Sequence, residues 1–122
     1  MTADVYAGDN ALTETGDAAD RVFAAAFHIQ ADADVDVICR VANVLRLANR
    51  APTRGSLLNE HDERTTIYVE MEGISLTTAE YLLRKLSQLT CVIASEVKVT
   101  GLEPGARPRV LRATPEGVIS SD

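Results

Sequence analysis

The sequence predicts an α+β domain in which strand, helix, strand, strand, helix and strand follow one another within a single folding unit. Two segments alternate apolar and polar residues with a period of two, and two others repeat apolar residues at helical spacing. Between them stand Pro52, Gly73 and a run of polar turn residues, which separate one element from the next.

The first strand is expected over residues 21–30, where Phe23, Ala25, Phe27 and Ile29 share one face and Val22, Ala24, Ala26 and His28 the other. Asp34 stands where an N-cap belongs. Val37, Ile38, Val41, Val44, Leu45 and Ala48 then form the apolar stripe of a helix that Pro52 cannot continue. Arg40, Asn43, Arg46 and Arg50 take its wet face, with Arg46 and Arg50 near the negative end of the helix dipole. A hairpin follows: residues 54–60, the polar turn His61-Asp62-Glu63-Arg64, and a strand over 65–72 in which Ile67, Val69 and Met71 alternate with Thr66, Tyr68 and Glu70. Gly73 is expected to end it. Thr77-Thr78-Ala79-Glu80 has the Thr-x-x-Glu order of a capping box, and Ala79, Leu82, Leu83, Leu86 and Leu89 form the second helical stripe. Ser95, Val97 and Val99 against Glu96 and Lys98 give a closing strand over 93–99. Two right-handed crossovers joined by a hairpin make this a ferredoxin-like βαββαβ sandwich, a four-stranded antiparallel sheet with two helices on one face. The other face is bare. The small apolar Val22, Ala24 and Ala26 pointing that way imply that a second copy of the chain covers it or a sheet edge, so a homodimer is expected.

The 122 residues, 46% of them hydrophobic, supply one core, placed at residues 20–102. The flanks read as tails. Residues 1–19 contain Asp4, Asp9, Glu14 and Asp17 and no Lys or Arg, the composition of a disordered acidic tail. Pro104, Gly105, Pro108 and Pro115 interrupt residues 103–122 too often for a regular element, so a flexible C-terminal tail is expected there, with at most one short extended stretch over 109–113. A net charge of −6 argues against a nucleic-acid partner. No apolar run approaches the ~18–20 residues of a membrane span, and the N-terminus lacks the basic-then-apolar order of a signal peptide, so no membrane partner and a cytoplasmic location are expected. Cys39 and Cys91 sit in apolar-periodic segments and read as two buried thiols in a reducing compartment.

A search for catalytic motifs finds none: no glycine-rich phosphate loop, no paired-histidine zinc motif and no nucleophile elbow. The chain is therefore read as not an enzyme, with no catalytic residue and no cofactor. Asp32, Asp34 and Asp36 begin like a calcium loop, but Val37 and Asn43 stand where its glycine and distal glutamate belong, so no metal site is expected. Carboxylates there complement the helix dipole. With 4% aromatic residues and only Tyr68 well placed, the sheet lacks the stacking platform of an RNA binder.

Val37-Ile38-Cys39-Arg40-Val41 is similar to a Val-Leu-Ser-Arg-Val opening of a first helix, and Leu83-Arg84-Lys85-Leu86-Ser87-Gln88-Leu89-Thr90-Cys91-Val92 to a Gln-Leu-x-Lys-Leu-x-x-Val run closing a second. Both belong to ACT-type regulatory domains, and over residues 22–99 the chain most resembles the small regulatory subunit of acetolactate synthase. The resemblance implies a homodimer whose sheets join, a larger catalytic subunit as partner, and a role in branched-chain amino acid biosynthesis. It also implies a small amino-acid ligand where the first strand meets the first helix, at Asp34, Val35, Asp36, Val37 and Ile38, with helix amides taking the ligand's carboxylate. The family's Asn-x-Pro-Gly falls on Ala33-Asp34-Val35-Asp36, so its Asn is Ala, its Pro is Val and its Gly is Asp. The Asp36 carboxylate would then fill the ligand's room. Two functions stay open, an amino-acid-sensing regulatory domain and a structural or adaptor homodimer without a ligand. They differ in whether this junction is a pocket or a plug.

Overall fold

Phe27 and Ile29 have no solvent exposure, and the strand that carries them lies inside the sheet with a partner on each side. The structure, a computed structural model, describes residues 21–60, 63–114 and 116–121, so the acidic tail expected over 1–19 lies outside the described residues. Along the chain come β1 (Val22–Asp32), α1 (Val37–Leu45) with a short 3-10 turn (Arg46–Ala48), β2 (Arg54–Asn59), β3 (Arg64–Ser75), α2 (Leu76–Ser87), β4 (Val92–Gly101), β5 (Pro108–Thr114) and β6 (Gly117–Ser121). The strands form one sheet in the order β2-β3-β1-β4-β5-β6, with every neighbouring pair antiparallel.

The period-two segments become strands because each alternate side chain can reach one shared core. Ala25, Phe27, Ile29 and Ala31 of β1 meet Ile67 and Met71 of β3 and Val97 and Val99 of β4. Val41, Val44 and Leu45 of α1 and Leu82, Leu83 and Leu86 of α2 close the same cluster. The arrangement is the ferredoxin-type one expected, enlarged at one edge. No helix among the described residues is long and apolar enough to cross a membrane.

The sheet has six strands, not the expected four, because the segment read as a flexible C-terminal tail folds back as β5 and β6. Leu111 is 1% exposed, and Ala113 and Val118 pack against the core it joins. The supposed breakers sit where strands tolerate them: Pro104 and Gly105 fall in the β4–β5 connection, and Pro108 is the first residue of β5. Gly73 does not end β3. It adopts φ +77° at a bulge where the pairing steps from Ala24–Glu72 to Phe23–Ile74, and the strand continues to Ser75.

Helix α2 starts earlier than its sequence pattern implied. Ser75, in extended backbone, is the N-cap, and its Oγ accepts the Thr78 N–H at 3.1 Å, so the cap precedes Thr77 by two residues. Cys39 is exposed on α1 rather than buried, and Cys91 is half-buried. The bare face is also less apolar than expected. On β1, Ala24 lies between Glu72 and Thr100 and Ala26 between Glu70 and Lys98, so both alanines are half-buried in a polar surface.

Candidate functional site

The end of β1 is braced from two sides. The Asp32 N–H donates to the Cys91 carbonyl at 2.8 Å, and the Ala33 N–H donates to the Glu63 carbonyl at 2.9 Å. Glu63 itself has φ +61°, a left-handed turn residue beside the hairpin. Beyond this point the chain turns sharply. Asp34 Oδ1 accepts the Asp36 N–H at 2.9 Å, the bond that defines an Asx turn, and the Asp34 carbonyl accepts the Val37 N–H at 3.1 Å.

Asp34 is therefore a turn residue, and the N-cap of α1 is Asp36, whose side chain makes no capping bond. The first helical bond runs from the Arg40 N–H to the Asp36 carbonyl at 3.0 Å. A helix leaves its first amides without intrahelical acceptors. Asp34 satisfies those of Asp36 and Val37, whereas no described residue supplies an acceptor for the Ile38 and Cys39 amides.

At this start of α1 opens a cavity of about 390 Å³. Asp34, Val35, Val37 and Ile38 line one side of it, so the structure gathers four of the five residues expected at the site; Asp36 does not line it. Val35 is 88% and Ile38 51% exposed, so apolar surface faces outward at this cavity. The carboxylate folded onto the turn is that of Asp34. Asp36, whose carboxylate was expected to fill the ligand's room, lies outside the lining of this cavity, and it is Asp34 Oδ1 that accepts the Asp36 N–H.

Sequence reasoning missed the opposite wall, which comes from the hairpin: Leu57, Asn59 and Thr65. Thr65 is buried and its Oγ1 donates to Asn59 Oδ1 at 2.7 Å, which fixes that wall. The signal was available in part, since a hairpin centred on the polar turn pairs Asn59 with Thr65. What the hairpin pattern did not show is that β2 runs beside the β1–α1 junction. Together the walls offer an apolar surface, Val35, Ile38 and Leu57, next to open helix amides, a combination suited to a small molecule with a carboxylate and an apolar side chain.

On the far side of the sheet, the Tyr68 hydroxyl donates to Glu70 Oε2 at 2.5 Å with His28 edge-on to the ring, centroids 6.3 Å apart. The hydrogen bond to Glu70, with desolvation and the carboxylate's charge adding to it, holds the phenol above its ordinary pKa. No group of three His, Cys, Asp or Glu side chains among the described residues is gathered to hold a metal ion.

A family model described as an ACT-like domain matches residues 18–103 of the chain. No curated protein and no solved structure matches it.

Proposed function

Since the chain belongs to the family of ACT-like domains, whose general role is regulatory and ligand-sensing, we propose that it is a non-catalytic, cytoplasmic regulatory domain that binds a small amino acid at the β1–α1 junction. The observation that carries this reading is the cavity of about 390 Å³ lined by Val37 and Ile38 at the start of α1, where the Ile38 and Cys39 amides have no acceptor among the described residues. The ligand's carboxylate takes those amides and its side chain lies on Val35, Ile38 and Leu57. Asp34 opposes it through like charge.

Asp34→Asn tests this directly, because the amide oxygen still accepts the Asp36 N–H while the negative charge is gone. Thermal-shift screening against the standard amino acids is expected to find a ligand whose affinity rises in the variant. At 100 times its dissociation constant the ligand stabilises the domain by about 2.7 kcal/mol. If neither protein responds to any amino acid, the sensing reading is wrong and the adaptor reading takes its place.

The same proposal includes a homodimer joined through β2. That strand is an edge, exposed along its whole length, and carries neither lysine nor proline to discourage pairing. Leu57 and Leu58 are 42% and 60% exposed on it. At the other end, β5 and β6 cover the edge of β4, which among the described residues leaves β2 as the free edge of the βαββαβ unit. Sedimentation is expected to show a dimer at tens of micromolar, and Leu58→Lys a folded monomer; a monomeric wild type would remove the proposal. Resemblance of residues 37–41 and 83–92 to the acetolactate synthase small subunit supports a larger catalytic subunit as the regulated partner and a branched-chain amino acid as the ligand class.

A further inference from the structure

A second cavity, of about 230 Å³, lies between α1 and β3. Val41 and Leu45 form its helical wall, and Ile67, Val69 and Met71 its floor. Among the described residues every one lining it is apolar except two, Arg46 in the 3-10 turn that ends the helix and Arg50 two residues beyond that turn. The β2 residue paired with Val69 on the groove's floor is Gly55, which presents no side chain on that flank.

The two arginines are available. Among the described residues neither is paired with a carboxylate. The Arg50 guanidinium rests against Gly73, where an added Cβ would come within 3.3 Å of its Cζ, so the glycine at the β3 bulge gives it a seat. We propose that this groove binds a small apolar carboxylate, its alkyl tail between α1 and β3 and its carboxylate on Arg46 and Arg50. A dry cavity of about 150 Å³ holds benzene, so this one holds a tail of about eight or nine heavy atoms. Guanidinium groups suit the head because each presents planar paired donors to a carboxylate. Among the described residues the groove has no acidic lining residue to receive an ammonium group, which separates its ligand from the amino acid assigned to the junction. Ile38 touches both cavities, but the charges that define this one lie at the opposite end of α1.

The test is calorimetric titration of octanoate and of 1-octanol into the full chain. Octanoate is expected to saturate one site per chain and to bind at least tenfold more tightly than the uncharged alcohol. Arg46→Gln combined with Arg50→Gln is expected to weaken octanoate at least tenfold and leave octanol unchanged. Gly55→Leu is expected to abolish binding of both: a Cβ there meets only the Tyr68 carbonyl, at an ordinary 3.5 Å, and the new side chain projects from the face shared with Val69. Circular dichroism melts confirm that each variant is folded. Octanoate that fails to bind the wild type, octanol that binds as tightly, or a Gly55→Leu protein that binds like the wild type would each overturn the assignment. Amino-acid shifts at the junction are expected to persist in the double arginine variant, so the two sites fail or succeed independently.

Discussion

Truncation after Leu102 is expected to destabilise the domain severely. It removes β5 and β6, strips the edge of β4 from Glu96 to Thr100 of its partner, and takes Leu111 from the core. Leu111→Ala isolates the core part of that loss and should cost about 2–5 kcal/mol, the usual range for truncating a buried leucine. Its neighbour Arg112 is a useful control. Its ion pair with Glu96, 3.1 Å long, is between side chains 57% and 40% exposed, so Arg112→Ala should cost no more than about 1 kcal/mol. Urea unfolding of the three proteins checks the ranking; a truncated chain with the wild-type midpoint would show that the C-terminal hairpin is not part of the folding unit.

Comparable losses of about 2–5 kcal/mol are expected for Leu83→Ala and Leu86→Ala. Both side chains are wholly buried, because the i, i+3, i+4, i+7 stripe of α2 lies directly on the sheet. Arg84 is exposed on the same helix, and Arg84→Ala should move stability by less than about 0.5 kcal/mol. Thermal or urea denaturation separates these cases. Equal effects at all three positions would mean that the buried face of α2 has been assigned incorrectly.

The core was legible in the sequence wherever a period persisted. Phe27 and Ile29 in β1 and Leu82, Leu83 and Leu86 in α2 follow from alternation and helical spacing, and the structure buries them all. The misreadings arise where a local rule met a tertiary partner. Proline and glycine suggested a C-terminal tail, yet pairing with β4 and burial of Leu111 outweigh local turn preference. Gly73 suggested a strand end, but a bulge uses the same positive φ inside a strand. At the candidate site, Asp34, Val35, Val37 and Ile38 could be located along the chain, whereas Leu57, Asn59 and Thr65 could not, because only the sheet order sets the hairpin beside the junction. The groove that ends on Arg46 and Arg50 left no trace in the sequence beyond two arginines on a wet helical face.

The central claim is that an amino acid docks on the amides at the start of α1. Two-dimensional amide NMR of the uniformly labelled protein, titrated with the best amino acid from the thermal-shift screen, tests it most directly. The account predicts the largest shifts at the amides of Ile38 and Cys39, with smaller ones at Val35, Asn59 and Thr65, and a tighter titration in Asp34→Asn. Shifts confined to other parts of the domain, or none at these amides at saturating ligand, would contradict it.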